Sequence, residues 1–111
     1  MEILFKTRKL QKTMSSETEL IREYGKSNAR LIMRRLIVLD AADCLADVSQ
    51  DPPERCHALS GRRKGQYAVD VKSPHRIILE PADDPLPIRE DSSIDLARVT
   101  SIRILEVKDY H

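Results

Sequence analysis

Gly65-Gln66-Tyr67-Ala68-Val69-Asp70-Val71-Lys72-Ser73-Pro74-His75-Arg76-Ile77-Ile78-Leu79-Glu80 is the stretch that decides the fold. Tyr67, Val69 and Val71 fall on one side of an extended chain and Ala68 and Asp70 on the other, which is the two-residue period of a strand. Ser73-Pro74-His75 is a tight turn, and Arg76 to Glu80 is a second strand. Upstream the period is different. Ala29, Ile32, Met33, Leu36, Leu39 and Ala42 form an apolar stripe at helical spacing, which predicts a helix over residues 28–46 with Ser27 as its cap. Leu10, Met14, Ile21 and Tyr24 predict an earlier helical segment over residues 7–24. Ser16-Glu17-Thr18-Glu19 reads as a capping box within that segment and marks a place for it to divide. Gly25 is a natural left-handed stop between the two helices. Asp51-Pro52-Pro53 ends helical structure, because proline restricts the residue before it and supplies no amide donor.

Working outward from the paired strands, Arg55 to Leu59 predicts a short strand and Gly61-Arg62-Arg63-Lys64-Gly65 a glycine-bounded basic turn. Ile3 and Phe5 fit either a short first strand or an extended lead-in. Ile102-Arg103-Ile104-Leu105-Glu106-Val107 is apolar to both sides at its middle, as expected of a central strand. Pro81 to Val99 is polar, acidic and rich in proline, long for a loop in a chain of 111 residues, with one helical turn expected within Ile94 to Val99. The order of elements predicts an α+β fold, two N-terminal helices packed on an antiparallel β-sheet. One domain is expected over residues 1–111, with a helical part at about 7–46, a sheet part at about 55–111 and a long acidic loop at 81–99.

Composition narrows the function classes. Hydrophobic residues make up 41% of the chain, enough for a packed core, but aromatics only 4%, so Leu, Ile, Val and Ala must fill it. No apolar run is long enough for a membrane span, and the N-terminus lacks the pattern of a signal peptide. Cys44 and Cys56 are expected as reduced thiols, which fits a cytoplasmic protein. The net charge is +1, yet residues 1–78 carry 15 Lys and Arg against 10 Asp and Glu, and residues 79–111 carry 4 against 8. A basic body with an acidic late segment is able to bind a polyanion without being basic overall.

The chemistry-bearing residues are His57 and the closing Lys108-Asp109-Tyr110-His111. An unperturbed imidazole titrates at about pH 6.5, so two histidines brought together are suited to shared acid–base work at neutral pH. The spacing of His57, His75 and His111 matches no helical or knuckle metal site, so no metal and no cofactor are expected. Cys56 sits beside His57, where a reactive thiol is the lesser reading.

Cys56-His57-Ala58-Leu59-Ser60-Gly61, Lys64-Gly65-Gln66-Tyr67-Ala68-Val69, His75-Arg76-Ile77-Ile78 and the Lys108-Asp109-Tyr110-His111 ending together resemble the HigB-type toxins. These are plasmid-maintenance killer proteins of the RelE/ParE superfamily of bacterial toxin–antitoxin systems. The resemblance spans nearly the whole chain, including the order of helices and sheet. It implies a ribosome-dependent endoribonuclease that cuts mRNA and stops translation. It also implies a HigA-type helix-turn-helix antitoxin as partner, contact with the ribosome and mRNA, contact with DNA only through the antitoxin, and no membrane. Carried over by motif, the catalytic positions are His57, Arg76, Asp109, Tyr110 and His111.

The basic turn, Arg62, Arg63 and Lys64, is a candidate RNA grip beside its plainer reading as a solvated hairpin tip. Ser60 stands where many relatives have lysine, and Pro81–Val99 replaces a short hairpin. For Glu80, Asp83, Asp84, Glu90 and Asp91 two readings stay open: a solvated loop, or a cover over the basic face. A ParE-like poison of DNA gyrase on the same scaffold and a catalytically weak protein that mainly binds its antitoxin are the competing functions.

Overall fold

A computed structural model describes residues 1–109. The chain runs β1 (Glu2–Phe5), α1 (Arg8–Met14), α2 (Glu17–Tyr24), α3 (Lys26–Ala41), β2 (His57–Ala58), β3 (Tyr67–Asp70), β4 (His75–Pro81) and β5 (Ser101–Asp109), with single 3-10 turns at Leu45–Asp47, Gly61–Arg63 and Leu96–Arg98. This is the α+β architecture expected, with three helices where the earlier segment divides. Thr7 accepts the Leu10 amide and caps α1, while the Ser16 hydroxyl accepts the Glu19 amide at 3.2 Å and starts α2. An N-cap satisfies an amide that has no intrahelical partner, so a second cap inside one helical period begins a second helix.

Gly25 has φ +85°, and its amide bonds Ile21 while its carbonyl accepts the Ala29 amide. One left-handed residue thus closes α2 and opens α3, a conformation glycine adopts at low cost. The cap of α3 is therefore Gly25 and not Ser27. The helix also stops at Ala41, short of residue 46, because Ala42 turns extended. The chain there brings Leu45 and Val48 into the core, and the Leu45 amide bonds the Val99 carbonyl.

The five strands lie in the order β1-β5-β4-β3-β2. The β5-β4-β3-β2 part is antiparallel as expected, but β1 runs parallel to β5, pairing Glu2 with Ser101 and Phe5 with Ile104, so the sheet is mixed. A parallel partner sits a whole crossover away in sequence and leaves no local signal. β5 lies between β1 and β4, the interior place its apolar run predicted. Its poor alternation also has a cause. Ile78 pairs with Glu106 and Leu79 with Ile104, so Leu105 is an extra residue, a β-bulge. The bulge resets the phase, so that Ile104 and Val107 face the same way.

That side carries the core. Met14, Leu20, Ala29, Ile32 and Leu39 from the helices pack with Val69, Ile77, Leu79, Ile102 and Ile104 from the sheet, all buried. Full burial of an Ile or Leu side chain is worth about 1.5–3 kcal/mol, so this layer dominates the stability of the fold. The opposite sheet face holds the charged groups considered next.

Candidate functional site on the charged face of the sheet

Strand register sets out this face in rows. His57 lies opposite Ala68, Ala68 opposite Ile78, and Ile78 opposite Glu106. One step along, Asp70 lies opposite Arg76 and Arg76 opposite Lys108. At the other end Glu80 lies opposite Arg103, 3.7 Å away in an ion pair. The sheet face turned from the helices is therefore mostly ionic. Ala68 and Ile78, apolar residues of this face, are nonetheless fully buried. The basic turn folds back toward them. Arg63 donates to Gln66 at 2.8 Å and to Glu106 at 2.8 Å, joining the β2–β3 connection to β5 across two intervening strands.

The His57 ring is fixed. Its Nδ1 lies 2.7 Å from the Arg55 carbonyl. A carbonyl only accepts, so Nδ1 carries the proton and the neutral ring keeps its lone pair on Nε2. Arg55 itself has φ +44°, a left-handed conformation that costs a non-glycine residue on the order of 1–2 kcal/mol. Its guanidinium grips Asp70 in a fork, Nε at 2.6 Å and Nη2 at 3.1 Å. Arg76 approaches the same carboxylate at 3.4 Å. From the helix layer, the buried Arg35 donates to the Asp70 carbonyl at 2.8 Å. The hydrogen bond from Arg55 to Asp70 raises the already high guanidinium pKa. A cleft of about 110 Å³ opens between Arg55, Asp70, Arg76 and the Ser73–His75 turn.

His75 is held in the opposite sense. The Lys72 amide donates to Asn28 Oδ1, which orients that buried amide so that its Nδ2 donates to His75 Nδ1 at 3.2 Å. The His75 proton then sits on Nε2. This histidine ties the β3–β4 turn to α3.

Among the residues singled out in the sequence, His57 and Arg76 share the charged face, separated laterally by β3, about 10 Å of sheet. Asp109 pairs with His75, one residue out of phase with Arg76, and is exposed at the end of β5. Tyr110 and His111 lie outside the described residues. Arg62 and Lys64 are exposed, as an RNA grip requires, whereas Arg63 is committed to Gln66 and Glu106. Ser60 is exposed and its carbonyl accepts the Arg63 amide. Cys56 is buried in the core, and desolvation pushes its thiol up to about 11, far from a reactive thiolate.

The acidic loop leaves from Pro81, roughly 17 Å along β4 from the Asp70–Arg76 pair. Asp83 turns inward to the loop's own return, accepting from the Thr100 amide and hydroxyl and from the Ser101 amide. Asp91 caps a local turn through Ser93. These acids organise the loop, while Glu80, at its base, pairs with Arg103 of the charged face.

Sequence reasoning passed over Arg55 and Asp70. Arg55 read as the start of a short strand and Asp70 as an outward strand position. A carboxylate flanked by apolar alternation in Ala68-Val69-Asp70-Val71 was the available signal, because a strand acid of that kind needs a cation opposite.

No protein-family model matches the chain, and no curated protein matches it. Solved structures do. It is similar to a YoeB/ParE toxin from Agrobacterium tumefaciens at 7% identity, with 100% of both chains covered and a TM-score of 0.60. It is similar to the YoeB–YefM complex from Staphylococcus aureus (13% identity, 100% of this chain and 98% of that one, TM-score 0.56) and to the YoeB dimer from the same organism (14%, the same coverage, 0.57). At such low identity the likeness speaks for the backbone and not for the site, and the chain has the fold of the YoeB/ParE toxin structures.

Proposed function

We propose that this chain is the toxin of a type II toxin–antitoxin pair of the RelE/ParE superfamily, resembling the HigB type in its motifs, and that it cleaves mRNA by metal-independent acid–base chemistry on the charged sheet face. The observation that carries the reading is the His57 ring, its Nδ1 held by the Arg55 carbonyl on the same face as Arg76. A neutral imidazole with Nε2 as its only lone-pair nitrogen is a prepared proton acceptor.

In the proposed reaction His57 Nε2 removes the proton of a ribose 2′-hydroxyl. The 2′-oxygen forms a bond to the neighbouring phosphorus while the bond to the 5′-oxygen breaks, leaving a 2′,3′-cyclic phosphate and a 5′-hydroxyl. Arg76 offsets charge on the non-bridging oxygens, a task its planar fork suits. His111 returns a proton to the leaving oxygen, with Asp109 and Tyr110 orienting it; these last roles rest on the motif resemblance. DNA, which lacks the 2′-hydroxyl, is not a substrate. The fold shared with toxin structures, one of them a YoeB–YefM complex, supports a protein antitoxin as partner. The HigA type and action on ribosome-bound mRNA follow from the same resemblance.

Induced expression should arrest growth, with cleavage visible by primer extension on a translated message. His57→Ala should lower cleavage by about 10²–10⁴-fold while leaving the thermal midpoint nearly unchanged. Full cleavage by that variant would reject the site. The competing reading, a gyrase poison, is favoured by the ParE designation of one similar structure. It predicts DNA-damage signalling with intact mRNA after induction.

A further inference from the structure

We infer that Arg55 and Asp70 are positioning residues that join the proposed base to the proposed phosphate cation through one continuous network. This rests on the nuclease reading and extends it to two residues the motif resemblance does not include. The chain of contacts runs from His57 Nδ1 to the Arg55 carbonyl, through the Arg55 guanidinium to both Asp70 oxygens, and from Asp70 to Arg76. Each link has a physical task. Arg55, whose carbonyl meets the ring, adopts φ +44°, a conformation unfavourable for a side chain of this kind. Such strain persists where surrounding contacts over-determine it. Here the restraint is visible: the forked grip on Asp70 holds the guanidinium from one side, and the Arg55 amide bonds the Asp51 carbonyl from the other.

Asp70 is itself immobilised. Its backbone is paired in β3, and its carbonyl accepts from Arg35, a buried residue of α3. One carboxylate thus fixes two guanidiniums whose separation sets where a phosphodiester lies relative to His57 Nε2. Geometry of this kind matters because a displacement of about 1 Å in a reacting group lowers a rate on the order of 10²-fold. Asp70 touches no reacting atom and donates no proton. Its effect on the reaction passes through Arg55 to the tautomer of His57, and through Arg76 to the substrate.

Asp70→Asn and Arg55→Lys separate this role from general stability. Asn keeps the shape of Asp70 but loses the charge that anchors both arginines, and Lys keeps the charge of Arg55 but loses the fork. Two readouts are taken on the full chain: steady-state cleavage of a translated message, and the nitrogen chemical shifts of the His57 ring, which report the tautomer whether or not RNA is cut. In folded Asp70→Asn, kcat should fall about 10–100-fold with KM little changed. The ring should pass from a fixed Nδ1–H form to the mixture typical of a free imidazole, and Arg55→Lys should show the same changes in smaller measure. An Nδ1–H ring unchanged in Asp70→Asn overturns the network, whatever the activity does. So does a kcat unchanged in Asp70→Asn when His57→Ala abolishes cleavage. A ring that responds to Asp70→Asn, together with a wild-type chain that cuts no RNA, upholds the coupling and rejects the nuclease reading instead.

Discussion

The two faces of the sheet are built from the same strands and by opposite means. Toward the helices, Val69, Ile77, Leu79, Ile102 and Ile104 interlock with Met14, Leu20, Ile32 and Leu39, and the contacts are non-directional. Away from them, Arg55, Asp70, Arg76, Arg63 and Glu106 meet through paired charges of fixed geometry. The first face holds the chain together and tolerates shape-conserving exchange. The ion pairs of the second contribute little to stability, since partly exposed pairs are worth about 0–1 kcal/mol, but they orient groups. Stability and proposed chemistry are thereby separated by the thickness of one strand layer.

That separation is open to test. Ile77 and Ile78 are sequence neighbours, both fully buried, one on each face. Ile77→Ala should cost about 3–4 kcal/mol in urea unfolding, because the helix layer cannot collapse fully into the gap. Ile78→Ala should lie near about 2 kcal/mol, since the long side chains over it are freer to close in. Equal losses would mean the charged face is packed as rigidly as the core.

A smaller effect belongs to the loop. Burial opposes the charge on Asp83, but hydrogen bonds from Thr100 and Ser101 outweigh it and hold the carboxyl below its ordinary range. A carboxyl with a lower value folded than unfolded stabilises the fold above its unfolded pKa of about 4. That contribution disappears as the pH falls through the folded value. Asp83→Asn should therefore destabilise by about 1 kcal/mol at neutral pH, and the gap between variant and wild type should close in acid. A gap independent of pH would show that the charge on Asp83 is immaterial.

The smallest stability change is expected in the basic turn. Arg62→Ala with Lys64→Ala should alter stability by less than about 0.5 kcal/mol, yet flatten the salt dependence of RNA binding by roughly 0.7 per lost phosphate contact. A slope that does not move would return these two cations to ordinary surface. Arg63→Ala should behave differently, lowering stability by about 1 kcal/mol through its bonds to Gln66 and Glu106.

Much of this plan was legible in the residues. Tyr67-Ala68-Val69-Asp70-Val71 alternates because a strand half-covered by helices must, and the stripe from Ala29 to Leu39 is helical because a helix shows one face to that sheet. Gly25 was readable as a joint, since its left-handed backbone suits no other residue as well. The β5 bulge was not, because an inserted residue such as Leu105 looks like imperfect alternation until its partner strand is known. In the same way, His57 and Arg76 carried visible motifs, while Arg55 and Asp70 carried none. Their meaning lies in a contact across 15 positions of chain.

The sequence by itself determined the class of the fold, helices followed by strands, and the residue types able to perform acid–base chemistry on a phosphodiester. Those properties are local: they follow from periodicity, capping and side-chain pKa. Only the tertiary structure decided that β1 joins parallel to β5, which histidine nitrogen is left to accept a proton, and that a single aspartate gathers Arg55, Arg76 and Arg35. Each of these depends on which strands become neighbours and in what register, and register is fixed by the burial of a whole face at once.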